Sequence, residues 1–380
     1  MIQQAPVSTI KSRSECNPYD ENGFLPLITA PMYSVVDDTN YQTFLDNKIQ
    51  VCLPRLQDSQ LSKVRTNGLF LATSLNDFTE YYLEGCKPIQ DIHKVCIDTA
   101  NGNMQILHNA IRKAKEIHGD NLIIMAGNVA SVEAFVELAK TGVDYIRVGI
   151  GGSSSCNTTS NTGVGQEDLE ELIIRCKRVI KEHENNVREY YYNTTDYIKK
   201  NGSITNDALM KWQYVTKVKI VADGISTYVE QCKEKYKFND NGYAAINKLL
   251  CAGADLVMIG KLFAQCVESA APKSVYKHTN NDYVSVENNS LQRRYEMYKD
   301  FTNCYAQYSG MSTHTEQVKY KNGLKPSEGS VSWIPVRWTL NEWLNGSEYQ
   351  DEAPYLMGYI NSLKSAMSYT DSLTLNKLKQ

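Results

Sequence analysis

Eight short apolar runs, the amphipathic stretches between them, and polar residues gathered at the runs' C-terminal ends predict a (β/α)8 TIM barrel. The runs occupy residues 24–30 (FLPLITA), 48–54 (KIQVCLP), 69–74 (LFLATS), 94–100 (KVCIDTA), 122–128 (LIIMAGN), 144–152 (DYIRVGIGG), 219–224 (KIVADG) and 255–260 (DLVMIG). They are continuous β-formers with little alternation, as strands buried on both faces require. Between them lie helical patterns such as 132–142 (VEAFVELAKTG) and 242–254 (GYAAINKLLCAGA), which close on Gly142 and Gly253 as a helix C-terminus does. An open doubly wound sheet is the alternative. Eight strands in one contiguous run favour the barrel, and residues 1–380 then form a single catalytic domain.

Two segments interrupt the repeat. Residues 178–217 form a polar insertion of helical tendency. Residues 271–350, between the eighth strand and the last helix, are rich in Tyr, Asn, Ser and Gly and read as a long irregular flap covering the active site. Trp333, Trp338 and Trp343 are expected to pack this flap, and a helix over residues 353–377 to return and close the barrel.

Charge and composition narrow the function. Forty Lys+Arg against 43 Asp+Glu, a net charge of −3, argue against a nucleic-acid or membrane-surface partner. No apolar run approaches the roughly 18 residues of a spanning helix, and the first residues lack a basic-then-apolar signal, so a cytoplasmic location is expected. Ten cysteines scattered without a CxxC, and six histidines without HExxH, predict neither a disulfide framework nor a zinc site.

In a barrel the chemistry sits at the C-terminal strand ends. Asp98, Asn101, Asn128, Arg147, Asp223 and Lys261 fall there, as does the loop GIGGSSSCNTTSNTGVG, residues 149–165. Gly and Ser runs let backbone amides approach an anion. Cys156 sits in that polar loop with no core to pack, so it is either a nucleophile or a loop cysteine of no consequence; the other nine read as small buried hydrophobes. Asp223 either accepts from sugar hydroxyls or caps the helix that starts beyond it. Gly260 and Lys261 lie where such barrels hold phosphate.

The loop VGIGGSSSCNTTSNTGVGQ resembles the cysteine loop of the IMP dehydrogenase/GMP reductase family. IDTANGN, MAGNV, VADG, GADLVMIGKLFAQCVES, YSGMST, KPSEG and MGYINSLKSAMSYTDS follow the family's order over nearly the whole chain. The resemblance implies a barrel, usually tetrameric, that acts at C2 of a purine nucleoside monophosphate with a nicotinamide cofactor. It makes Cys156 the attacking thiolate. Ser154, Gly224, Gly260 and Lys261 then hold the phosphate side, and Asp223 the ribose. Met311, Ser312, Thr313 and Gly329 border the base. Asp98, Ala100, Asn101, Asn128 and Arg147 fall at the nicotinamide side. Carbonyls of Gly151, Ser153 and Cys156 match a potassium-binding loop.

Within the family the chain looks like a divergent GMP reductase. Residues 75–95 leave no room for a regulatory domain pair, residues 100–102 read ANG, and no arginine lies between Thr313 and Glu328 to activate water. The implied reaction is reductive deamination of GMP, or a close analogue such as dGMP, to IMP with NADPH (or NADH), with Thr158 and Glu328 relaying the proton to the leaving amine. IMP oxidation with NAD and a catalytically silent nucleotide binder are the alternatives. The chain departs from the family pattern at Ile225, Ser153, Lys261 and Arg55, around the phosphate and sugar, which suggests a modified or deoxy nucleotide.

Overall fold

The computed structural model describes residues 1–56, 68–152, 158–166, 168–192, 205–277, 282–285, 290–300, 304–309, 331–347 and 357–379. Every predicted run contains a strand: β1 Leu27–Thr29, β2 Cys52–Leu53, β3 Phe70–Thr73, β4 His93–Asp98, β5 Leu122–Val129, β6 Tyr145–Val148, β7 Lys219–Ala222 and β8 Leu256–Ile259. The pairing is parallel throughout, β2 to β8 in sequence and then β8 to β1 with Leu27 opposite Val257. The ring closes between β1 and β2 through a bridge of Ile28 to Gln50. There the buried Thr29 hydroxyl donates to the Cys52 carbonyl at 3.2 Å and accepts its amide at 2.9 Å. The structure is therefore the predicted (β/α)8 barrel.

The strands bury both faces, which is why their sequences do not alternate. Ile28, Cys52, Phe70, Cys96, Met125, Val221 and Met258 fill the barrel, while Leu27, Leu53, Val95, Ile124, Ile146 and Val257 face the helices. Around the barrel run α1 Tyr41–Asp46, α2 Leu75–Tyr82, α3 Gln105–His118, α4 Val132–Ala139, α5 Thr158–Thr162, α6 Leu169–Tyr192, α7 Asn206–Lys217, α8 Ile225–Tyr236, α9 Tyr243–Ala252 and α10 Lys261–Ala264. Side-chain caps start several of them: Ser74 for α2, Ser131 for α4 and Thr205 for α7 each accept an amide three residues on. Gly253, at φ 116°, ends α9 as predicted.

The insertion is not a separate unit. α6 is one 24-residue helix whose first half carries Leu172, Ile173, Cys176 and Ile180 into the core. Its second half leaves the barrel and packs along α7, with the His183 and Trp212 rings edge-on at 6.2 Å.

The segment read as irregular instead contains a second sheet. β9 Lys273–Lys277, β10 Asp282–Ser285, β11 Cys304–Ser309 and β12 Val331–Pro335 form an antiparallel sheet in the order β10-β9-β11-β12. In β11, Cys304, Ala306 and Tyr308 are buried while Tyr305 and Gln307 are half-buried, a period of two hidden by the Tyr- and Ser-rich composition. Two helices accompany it, α11 Leu291–Asp300 and α12 Leu340–Asn345, and two more close the chain, α13 Tyr359–Tyr369 and α14 Leu375–Leu378.

Two expectations are corrected here. The single last helix is broken at Asp371, where φ is 53°, because its carboxylate is drawn to the Thr9 amide at 2.8 Å and to Lys377 at 3.0 Å. The tryptophans do not share one flap role. Trp343 is fully buried, stacked on Tyr359 at 5.2 Å and edge-on to Tyr243, so it joins α12 to α9 and α13 in the barrel wall.

A buried polar knot roots the sheet to the end of β8. Glu268 accepts from the Tyr295 hydroxyl at 2.7 Å and from the Leu340 amide at 2.8 Å. Lys273 Nζ donates to Ser269 Oγ at 2.6 Å and to the carbonyls of Ser269 and Ala271 at 3.2 and 3.1 Å. Burial, with Arg294 nearby, pushes the Lys273 ammonium from 10.5 down to about 7. Between those values the unfolded chain holds the proton and the folded chain does not, so this lysine's contribution to stability rises with pH across that window. Urea unfolding of the wild type and Lys273→Met at pH 7 and 9 should show the difference moving in the wild type's favour by on the order of 1 kcal/mol or more. A difference independent of pH would contradict this.

Candidate active site

The site is built on a charge inside the barrel. Along β6, Ile146 and Val148 face the helices, so Arg147 between them points inward, where it is 8% exposed. A cation there needs carboxylates, and the neighbouring strand ends supply them. Arg147 Nη1 donates to Asp98 Oδ1 at 2.8 Å, at the last residue of β4. Its Nε and Nη2 donate to Asp223 Oδ2 at 3.0 and 2.8 Å, beyond β7. Asn128 Nδ2, on β5, donates to the same Asp223 oxygen at 2.8 Å and to the Gly149 carbonyl at 2.6 Å. Arg55, just past β2, donates to the Asp98 carbonyl at 2.6 Å, with Nη2 3.5 Å from Asp98 Oδ2.

The electrostatics follow. Burial alone would raise the Asp98 carboxyl, but Arg147 and Arg55 outweigh it and hold the group below the usual carboxylate range. Burial works against the Arg147 cation, and Asp223, Cys96 and Asp98 together more than restore it. Arg147 Nη1 also lies 3.8 Å from Cys96 Sγ in the layer beneath.

Close backbone packing holds the loops around this cluster. A Cβ at Gly149 would lie 2.3 Å from the Asp223 carbonyl oxygen, and one at Gly152 2.1 Å from that of Gly224. The base of the cysteine loop thus rests directly on the turn after β7, fastened by Thr227 N donating to the Gly152 carbonyl at 2.9 Å. The chain returns as α5, where Thr159 Oγ1 donates to the Val164 carbonyl at 2.8 Å, and Gln166 accepts the Ile150 amide at 2.8 Å. The loop's two feet, 149–152 and 158–166, are therefore fixed beside Asp223. Thr158 begins the second foot, and its carbonyl accepts from the Thr162 hydroxyl at 2.6 Å.

Of the predicted site residues, the structure joins Asp98, Asn128, Arg147 and Asp223 in one bonded network. Helix capping is not the role of Asp223: Gly224 is the N-cap of α8, with no side-chain cap, and the carboxylate turns to Arg147. Gly224 needs its φ of 73° and its missing Cβ to meet Gly152. Ala100 and Asn101 are exposed on the turn after β4, where Asn101 Oδ1 accepts the Asn103 amide at 2.9 Å. Gly260 ends β8 beneath the Tyr308 hydroxyl, and Lys261 Nζ lies 3.6 Å from Glu230 on α8. Gly151 is described, and its φ of 74° brings it against Thr159. Ser153, Ser154, Cys156, Met311, Ser312, Thr313, Glu328 and Gly329 lie outside the described residues. Ser309, the last described residue before residue 310, lies near the barrel mouth, where its carbonyl accepts from the Ser34 hydroxyl at 3.0 Å beyond β1.

Arg55 was read from the sequence only as a departure from a pattern; its bracing of Asp98 was missed. Its position one residue past the proline that ends β2 was the available signal. Among the described residues the buried Arg55 Nε has no hydrogen-bond partner.

This arrangement defines a class: a (β/α)8 barrel with an acid–guanidinium network at its mouth and the base of a Gly/Ser loop packed beside it. A family profile described as the IMP dehydrogenase / GMP reductase domain matches residues 86–189. The chain is 27% identical over 289 residues to the inosine-5'-monophosphate dehydrogenase of Chlorobaculum tepidum, covering 75% of this chain and 43% of that protein. It is 25% identical over 319 residues to the GMP reductase of Onchocerca volvulus, covering 82% and 63%, and 32% identical over 171 residues to that of Staphylococcus carnosus, covering 41% and 51%. The matches thus span about half of each relative's length. Over most of its length the chain is thus similar to proteins named IMP dehydrogenase and GMP reductase, and the family profile itself covers residues 86–189.

Removing Arg147 leaves carboxylates facing each other in a largely buried site. Arg147→Ala is expected to cost about 3–5 kcal/mol of stability at pH 7. Asp98 has a lowered folded value, so its share of that stability is full above its unfolded value of about 4 and is lost as the pH falls through the folded one. Urea unfolding at pH 7 and pH 3 checks this: the penalty should shrink in acid, and an equal penalty at both contradicts the network.

Proposed function

We propose that this protein reductively deaminates GMP, or a close analogue such as dGMP, to IMP with NADPH through a covalent intermediate on Cys156. The observation that carries the reading is the fixed base of the 149–165 loop on the Asp223–Gly224 turn. It anchors the loop that bears Cys156 beside a carboxylate suited to sugar hydroxyls.

In this reading the Cys156 thiolate adds to C2 of the purine. The 2-amino group takes up one proton, which Thr158 and Glu328 relay, and leaves as ammonia. When bound, the reduced nicotinamide supplies a hydride to C2. The C2–S bond then breaks, returning the thiolate and releasing IMP. Asp223 accepts from the substrate ribose, and Ser154 with the Gly260–Lys261 turn holds its phosphate. Met311, Ser312, Thr313 and Gly329 enclose the base.

The donor set on the other side of the mouth suits the cofactor's nicotinamide ribose. Asp98 offers an acceptor and Asn128, whose amide hydrogens are held by Gly149 and Asp223, its side-chain oxygen, while the exposed Ala100–Asn101 turn leaves access. Potassium is assigned to carbonyls of Gly151, Ser153 and Cys156. Among the described residues no cluster of His, Cys, Asp and Glu is arranged to hold another metal, and no helix is long and apolar enough to cross a membrane. A cytoplasmic homotetramer belongs to the same reading.

The ANG turn at 100–102, the short connection from α2 to β4, and the lack of arginine between Thr313 and Glu328 favour reduction. IMP oxidation with NAD is the second reading, favoured by the similarity to a protein named IMP dehydrogenase. Incubation with GMP, dGMP or IMP and each nicotinamide cofactor separates them. We expect NADPH oxidation with ammonia release from GMP or dGMP, abolished in Cys156→Ala. NADH formed from IMP would support oxidation instead, and turnover retained by Cys156→Ala would refute the covalent step.

A further inference from the structure

We propose that a cleft between α6 and α9, at the end of the barrel opposite the mouth, is a second binding site for a nucleoside polyphosphate. The cleft has a volume of about 590 Å³, a size that takes a nucleotide-sized ligand. One stripe of α6 lines it, Glu170, Ile174, Lys177, Arg178 and Lys181, at spacings that place all five on one helix face. Lys248 of α9 and Lys379, just past α14, face that stripe. Lys379 sits beside Asp255, the residue before β8, which places the cleft at the N-terminal end of that strand.

The charges in this cleft do not cancel. Glu170 Oε2 already accepts from Lys248 Nζ at 2.7 Å and from the Tyr228 hydroxyl at 2.9 Å. Asp255 is engaged by Lys379, which donates to its carbonyl at 3.0 Å and lies 3.6 Å from Oδ1. Each acidic group thus has its cation. Among the described residues Lys177 and Arg178 have no carboxylate within 4 Å, on a chain whose net charge is −3. The stem of Lys177 lies over Gly253, whose absent Cβ leaves room for it, and this holds the ammonium on the cleft wall. The cations also feel one another: burial first, then Lys177 and Lys219, push the Lys379 ammonium down.

Cations gathered with too few carboxylates form a site for an anion of several charges. Ile174, Ala252 and Leu378 supply an apolar wall beside them. A flat base can lie on that wall while the phosphates reach the rim, which inorganic pyrophosphate cannot reproduce.

Isothermal titration of the full chain with ATP, and with inorganic pyrophosphate, tests this. ATP should bind saturably, more tightly than pyrophosphate, and more weakly as salt is raised. Lys177→Ala/Arg178→Ala should weaken ATP binding about tenfold or more. Because the Lys177 stem also packs, the exposed Arg178→Gln alone provides a second variant, which should lose affinity for ATP while its urea unfolding midpoint stays that of the wild type. Absence of saturable ATP binding, or binding that both variants leave unchanged, overturns the proposal. Pyrophosphate binding as tight as ATP overturns the nucleoside part of it.

Discussion

The guanidinium of Arg147 is a full charge placed where a barrel normally keeps packed hydrocarbon, and much of the mouth follows from its need for partners. A buried cation is tolerated only with carboxylates in hydrogen-bonding reach. β4 and β7 lie on either side of β5 and β6, and each ends in an aspartate, Asp98 and Asp223, that meets it. Asn128 on the intervening β5 fills a remaining lone pair of Asp223 and reaches the Gly149 carbonyl, so the network extends into the loop backbone. Gly149, Gly152 and Gly224 are then required because a Cβ at any of them would strike a neighbouring main chain. A charge in one strand thereby sets the sequence of three loops.

The second sheet serves the same mouth from outside. Its root is the buried knot of Glu268, Ser269 and Lys273, and its far end delivers Tyr308 and Ser309 to the ends of β8 and β1. The cationic cleft is placed at the other end of β8, so a ligand there would meet different elements, α6, α9 and α14.

The barrel was legible because both of its faces are buried: each apolar run contains a strand, and Gly253 marks a helix end. The antiparallel sheet was not. Its central strand β11 alternates Cys, Ala and Tyr with Tyr, Gln and Ser, so the buried face of that strand carries no branched aliphatic signal against a Tyr- and Asn-rich background. The broken last helix was hidden for another reason. The break depends on Asp371 bonding to Thr9, a contact 362 residues away that no local pattern encodes. Strand-end position groups Asp98, Asn128, Arg147 and Asp223, which the structure bonds into one network, but their division between cofactor and substrate hid that Arg147 binds both carboxylates. Asp223 illustrates the limit: the same residue before a helix suits a cap or a site, and only the inward turn of its side chain decides.

On the proposed function, the Cys156 thiolate adds to C2 of a purine nucleotide. Mixing the wild-type protein with GMP in the absence of any nicotinamide cofactor, quenching with acid and mapping peptides by mass spectrometry tests it most directly. The account predicts a purine nucleotide attached through sulfur to the peptide containing Cys156, with ammonia released in equal amount. Ammonia release without that adduct, or an adduct on another cysteine, would contradict it.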